Sequence, residues 1–152
     1  MRIPTVAATI MTCLLLSGCG PDSRATAGSV EIGAAMTCET GSHPECIEVM
    51  DEHVLLDSVD FQPAGVESAA AVQQDDREVV EVIFDEHGAD VLRAVSTTAA
   101  EEHEARLVLR AATGELLTAV QVPRPISGHT AQITLSPQAD AQEWVELILQ
   151  GH

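Results

Sequence analysis

Two neighbouring stretches in the middle of the chain combine apolar runs with polar ends, and the second of them has a two-residue apolar period. "ESAAAVQQ" (67–74) and "EVVEVIF" (78–84) have the character of extended segments, and the turn-forming "DDR" separates them. In the second stretch Val80, Val82 and Phe84 recur at every second position, so they are expected on one buried face of a strand. The pattern predicts a β-hairpin.

After Phe84 the apolar spacing lengthens from two residues to nearly four, which is typical of an amphipathic helix. Asp85 occupies the N-cap position, where its carboxylate can accept hydrogen bonds from the amides of the first turn. Gly88 is small enough for the helix to lie close to the sheet. The helix is expected to end near "STTAA" (96–100), with a buried face formed by Ala89, Leu92, Val95 and Ala99.

Shorter apolar runs on both sides predict four more strands, namely "CIEVM" (46–50), "ARLVLRA" (105–111), "ELLTAVQV" (115–122) and "AQITL" (131–135). Ser136 followed by Pro137 predicts the start of a second helix, and Gly151 predicts a left-handed cap at its end. Its expected buried face consists of Ala141, Trp144, Leu147 and Ile148. The order β-β-β-α-β-β-β-α, with strands paired as hairpins into a mostly antiparallel or mixed sheet and two helices on one face, predicts an α+β fold.

The N-terminus has the pattern of a bacterial lipoprotein signal. An apolar stretch from Val6 to Leu16 precedes "LSGC", which resembles the lipobox, where the peptide is cut before the cysteine. We therefore predict a signal peptide over 1–18 and acyl chains, such as palmitate, on Cys19 in the bacterial cell envelope; an ordinary signal peptide or an uncleaved anchor is the alternative. Gly20, where Asp would retain a lipoprotein at the inner membrane, favours the outer membrane if the cell has two.

The segment after Cys19 predicts a tether and a small cross-link. Residues 19–45 are rich in Gly, Ser, Ala and Thr and predict a flexible, lipid-anchored tether ahead of a folded domain over 46–152. Because the envelope is oxidising, Cys38 and Cys46 are predicted to form a disulfide across "CETGSHPEC". The alternative, a metal site that adds His43 to the two cysteines, lacks a fourth ligand at a known spacing.

Charge and composition exclude some partner classes. Asp and Glu number 24 against seven Arg and no Lys, which gives a formal net charge of -17. Nucleic acid is therefore not an expected partner, because phosphate neutralisation needs clustered cations. Attraction of a cationic partner is compatible with this charge. No motif for a cofactor is present, and we expect none.

Three segments, taken in order, carry a resemblance to a known family. "VVEVIFDEHGADVLRAVST", "ARLVLRAATGELLTAVQVPRPISG" and "AQITLSPQADA" are similar in order and spacing to the head subdomain of the first periplasmic domain of SecD, the export-accessory membrane protein. The resemblance covers roughly Val49 to Gly151. Val120 replaces a proline of the family pattern, and the turn after "QIT" is shorter and lacks a glycine. The six membrane spans of SecD have no counterpart, so proton-coupled transport is not implied.

The resemblance, together with the lipobox, implies a non-catalytic module that binds an exported polypeptide or an envelope partner, Sec proteins included, as an accessory to export. Pro123, Arg124 and Pro125 are candidate contact residues, with a rigid connection as the alternative interpretation of "PRP". Membership of a fold does not transmit function, so a purely structural lipoprotein is a further alternative.

An acid- or metal-dependent envelope enzyme is the competing hypothesis. It would use Asp85, His87 and the run Glu101 to His103, and it requires these groups to converge in one pocket. Against it, acids in a first helical turn are explained by the helix dipole. The two histidines are also not spaced as a pair of metal ligands on one helix.

Overall fold

A computed structural model describes residues 27–151, which form an antiparallel sheet and two helices. The strands are β1 (Gly28–Thr37), β2 (Cys46–Val49), β3 (Glu52–Leu55), β4 (Gln62–Gln74), β5 (Arg77–Phe84), β6 (Ala105–Ala111), β7 (Leu116–Val120) and β8 (Thr130–Thr134); the helices are α1 (Glu86–Glu101) and α2 (Ala141–Gln150). The predicted α+β class is confirmed. The predicted signal peptide over 1–18 and the lipidation site Cys19 lie outside the described residues.

Strand β1 corrects the predicted tether. Residues 19–45 were expected to contribute little to the core, yet β1 pairs with β3, β4 and β6, and its Val30 and Ile32 are fully buried. Gly33 is needed there because a Cβ atom would lie 2.4 Å from the Val59 side chain. The folded domain therefore begins at about residue 28 rather than 46, and β1 and β3 are added to the predicted order.

The predicted hairpin is present as β4 and β5, joined at Asp75 and Asp76. Both aspartates have positive φ, 49° and 63°, as a two-residue turn that matches the twist of its strands requires. The register runs from Gln74 opposite Arg77 to Val66 opposite Phe84, with one irregularity near Val66. Arg77 thus belongs to the strand and not to the turn.

Two apolar clusters hold the layers together. The larger one lies between the sheet and both helices and includes Phe84 and Leu92, so the helices pack on one face as expected. On the sheet's other face a smaller cluster joins the β2–β3 hairpin to β6 and β7 through Val54 and Val108. The loop over residues 56–61 packs against this second cluster.

Helix α2 begins later than predicted. Its N-cap is Asp140, whose carboxylate accepts from the N–H of Gln142 at 2.8 Å, whereas Ser136 accepts only a turn bond from Ala139. The prediction of a start at Ser136 is therefore wrong. Within the expected buried face, Ala141 and Ile148 are buried, Trp144 and Leu147 are half-buried, and the buried Val145 was not predicted.

The predicted left-handed cap at Gly151 is also wrong. Gly151 has a φ of -81°, which any residue can adopt, so handedness does not explain a glycine there. Close packing does, because a Cβ atom would lie 2.7 Å from the carbonyl oxygen of Ser29. The C-terminus of α2 is therefore held against β1.

Candidate functional site

The "FDEHGAD" segment forms the corner between β5 and α1. One oxygen of Asp85 accepts from the N–H of Gly88 at 2.7 Å, as an N-cap should, and the Asp85 N–H donates to the carbonyl of Gly65 at 3.0 Å. A Cβ atom on Gly88 would lie 2.3 Å from that same carbonyl oxygen, so the helix approaches β4 closely. The predicted cap and the close approach are both confirmed.

The acidic and histidine residues of the enzyme hypothesis do not converge. Asp85 precedes α1, whereas Glu101 ends it and His103 follows it. The 16-residue helix separates the two groups by about 24 Å along its axis, at 1.5 Å per residue. His87 and His103 are exposed. Among residues 27–151 no group of three or more His, Cys, Asp or Glu side chains is placed to hold a metal ion.

Cys38 and Cys46 form the predicted disulfide, with Cα atoms 6.0 Å apart. His43, the third residue of the alternative metal site, instead accepts a hydrogen bond from the N–H of Glu45 at 3.1 Å. Both thiols are consumed by the cross-link, so this state offers no thiolate ligand. The disulfide closes the loop between the central strand β1 and the β2–β3 hairpin.

The proline-rich loop after β7 is exposed and is followed by a residue that is hydrogen-bonded to α1. Pro123, Arg124 and Pro125 are all solvent-exposed. Immediately after them, the N–H of the half-buried Ile126 donates to the hydroxyl of Ser96 at 2.8 Å, and Ser96 itself is fully buried in α1. The side chains of the candidate contact residues are thus accessible, and the residue that follows them is hydrogen-bonded to α1.

Ion pairs on the sheet face opposite the helices were not predicted. Arg110 contacts Glu31 across β6 and β1 at 2.5 Å, and its guanidinium lies 3.8 Å from the ring centre of Phe61. The Nε atom of Arg106 lies 3.1 Å from a carboxylate oxygen of Glu52. This contact is an ion pair without a hydrogen bond from Nε. The side chains of these pairs are partly buried. Arg110 contacts the loop over 56–61 through Phe61, and Arg106 contacts the β2–β3 hairpin through Glu52.

An open cleft of about 1040 Å³ lies where three connections meet: the β2–β3 turn, the β4–β5 turn and the segment after β8. The charged side chains of its lining are four carboxylates and the guanidinium of Arg77, which together carry a formal charge of -3. The carboxylates are those of Glu48, Asp51, Asp76 and Glu78. Met50 and Leu135 are apolar residues of the lining. The lining residues come from three separate parts of the sequence, so no local motif indicated this cleft. A cleft of this charge attracts cations and repels anions.

Comparison of the chain with protein-family models, curated proteins and solved structures finds no match. The likeness to the SecD head subdomain therefore rests on the sequence segments alone. Within residues 27–151 neither helix has the length and apolarity that crossing a bilayer requires.

Proposed function

We propose that this chain is a non-catalytic binding module of the bacterial envelope, anchored by acyl chains on Cys19. Its folded domain holds an exported polypeptide or an envelope protein, Sec components included, close to the membrane as an accessory to export. The observation that carries the proposal is the presentation of an exposed loop, 123–125, by a buried anchor at Ser96. Loops fixed on a rigid scaffold are the usual carriers of binding function.

The position of β1 shortens the segment between the lipid anchor and the folded domain, compared with the tether that the sequence predicted. Because β1 begins at Gly28, only residues 20–27 separate it from Cys19. Eight residues span at most about 28 Å when fully extended. An acylated Cys19 would thus keep the binding surfaces within a short distance of the bilayer, where a polypeptide emerging from the membrane is accessible.

The enzyme hypothesis requires its residues to converge in one pocket, and they lie instead at opposite ends of α1. Their chemistry also has a simpler explanation, because Asp85 caps the helix and the remaining groups are exposed at its ends. We therefore do not propose a reaction for this cluster.

Affinity capture of the acylated protein from its own envelope tests the proposal. A variant with loop 123–125 replaced by three alanines serves as the matched control, because these side chains are exposed and Ile126 keeps its bond to Ser96. We expect one exported polypeptide or envelope protein to be enriched with the natural chain and depleted with the control. Recovery of the same background from both chains would contradict the proposal and favour a purely structural lipoprotein.

A further inference from the structure

Strand β8 forms a free edge of the sheet. Among residues 27–151 it pairs only with β5. The N–H of Phe84 donates to the carbonyl of His129 at 2.7 Å, which makes residue 129 a hydrogen-bonded position of this ladder. In an antiparallel pair alternate residues direct their backbone groups towards the same neighbour. The residues that direct N–H and C=O away from β5 are therefore Thr130, Gln132 and Thr134.

This edge lacks the usual protection. Natural edge strands carry Lys, Pro, bulges or a covering element, because an unpaired row of backbone groups recruits other chains. Strand β8 contains neither a charged residue nor a proline, and the side chains of its three outward residues are exposed. Within residues 27–151 no backbone group outside β5 bonds to these positions. By contrast, β7 lies against the β2–β3 hairpin, where Thr118 donates to the Met50 sulfur.

The charge around β8 indicates what kind of chain would pair there. Thr134 at the end of β8 also lines the acidic cleft, whose formal charge is -3. On the neighbouring strand, Glu81 lies opposite Gln132 in the ladder. A second copy of this protein, with its own net charge of -17, would be repelled from such an edge. A segment with basic side chains would be attracted.

We propose that the edge of β8 is the docking site for an extended polypeptide segment that carries Lys or Arg residues. The segment adds to the sheet as a further strand along 130–134 and directs its basic side chains to the acidic cleft. Backbone hydrogen bonds supply affinity with little dependence on sequence, and the cleft selects for positive charge. This inference rests on the proposed binding function, and it adds a second contact surface beside the loop 123–125 and the chemistry of the segment that would bind there.

Fluorescence anisotropy of the full-length protein in a non-ionic detergent tests the site with defined probes. The first probe is a labelled ten-residue peptide of alternating Thr and Val with three Lys residues near one end. The second carries Glu in place of Lys, and the third has N-methyl groups at every second residue of its Lys-bearing chain. We expect the Glu and N-methylated peptides to bind at least about tenfold more weakly than the Lys peptide, and added salt to weaken the Lys peptide.

Protein variants separate the backbone and charge contributions. Gln132→Pro removes an outward N–H without removing a bond to β5, and Gln132→Ala is its control; we expect about fivefold or greater weakening only with proline. Asp51→Asn with Asp76→Asn removes two charges from the cleft, and asparagine tolerates the positive φ of residue 76. The double variant should bind the Lys peptide more weakly and with a smaller salt dependence, and it should bind the Glu peptide no more weakly than the natural protein does.

Equal binding of the N-methylated and unmodified peptides would overturn the docking site, and this comparison leaves the protein unaltered should the proline variant fail to fold. Absence of any binding by the Lys peptide, or sedimentation that shows dimers broken by Gln132→Pro, would also overturn it. None of these results changes the outcome of affinity capture from the envelope, because that comparison depends on the loop 123–125 and not on the edge of β8. Failure of the edge and failure of the binding function are therefore distinguishable.

Discussion

Replacing Ser96 with alanine tests how the helix holds the proline-rich loop. The Ser96 hydroxyl donates to the carbonyl of Arg93 at 3.1 Å and accepts from the N–H of Ile126 at 2.8 Å, in a fully buried position. Alanine leaves the half-buried Ile126 donor without its acceptor, which costs about 1–3 kcal/mol. The higher helix propensity of alanine returns about 0.5 kcal/mol. We expect a net loss of about 0.5–2.5 kcal/mol in the free energy of unfolding.

Thr97→Ala is the matched control. The Thr97 hydroxyl donates to the same Arg93 carbonyl at 2.7 Å but makes no bond to the loop. Its removal should change stability by no more than about 0.5 kcal/mol, as is usual for a helix surface position. The difference between the two variants therefore isolates the bond between Ser96 and Ile126.

Urea denaturation and amide hydrogen exchange measure this difference. We expect Ser96→Ala to lower the denaturation midpoint and to accelerate exchange of the Ile126 amide by about 2- to 70-fold, the factor that corresponds to about 0.5–2.5 kcal/mol. The Thr97→Ala protein should retain the natural exchange rate at Ile126. Equal effects of the two variants, or unchanged protection of Ile126 in Ser96→Ala, would refute the argument that Ser96 anchors the loop.

Three further predictions concern the disulfide, the corner and the anchor. Replacing Cys38 and Cys46 together with serine should lower the free energy of unfolding by about 2.6 kcal/mol, because nine residues lie in the closed loop; a chain as stable as the oxidised natural protein in urea would contradict this. Gly88→Ala should lower the melting temperature, because a Cβ atom would lie 2.3 Å from the backbone oxygen of Gly65, which places the cost towards the upper end of about 1–3 kcal/mol and above the helix-propensity gain of about 1 kcal/mol; a rise in melting temperature would refute the close approach. Cys19→Ala should abolish incorporation of labelled palmitate and release the protein from washed membranes, whereas continued acylation would contradict the lipobox assignment.

The hairpin and the first helix could be predicted because their signals are local. Asp75 and Asp76 tolerate the left-handed backbone of a tight turn, and Asp85 bonds to an amide only three residues away. Each of these residues acts on its sequence neighbours, so the sequence pattern is sufficient. The disulfide could be predicted for the same reason, since the two cysteines lie only eight residues apart in the sequence.

Strand β1 and the start of α2 depended on distant or competing interactions. Val30 and Ile32 are buried by strands far along the chain, while their Gly and Ala neighbours give the segment the composition of a linker. At α2 both Ser136 and Asp140 are suitable caps, and the helix begins after the second, where Ala141 packs in the core. Local propensity is a weak guide where tertiary contacts decide the outcome.

The surfaces of the candidate site could be predicted only in part. The exposed "PRP" residues were visible in the sequence, but their anchor Ser96 is 30 residues away from Ile126, so no local pattern indicated it. The free edge of β8 follows from strand order, and the cleft beside it combines residues from three connections. Such features arise from topology, which short-range periodicity does not specify.

Photo-crosslinking in living cells tests whether this domain binds another polypeptide at the membrane. A photoreactive amino acid is placed at Arg124 or Gln132, both exposed, and at the exposed Thr113 in the β6–β7 turn as a control. We expect a discrete adduct with an exported or envelope polypeptide from the first two positions, absent at Thr113 and reduced when Cys19 is replaced by alanine. Equal adducts at all three positions, or none at any, would contradict it.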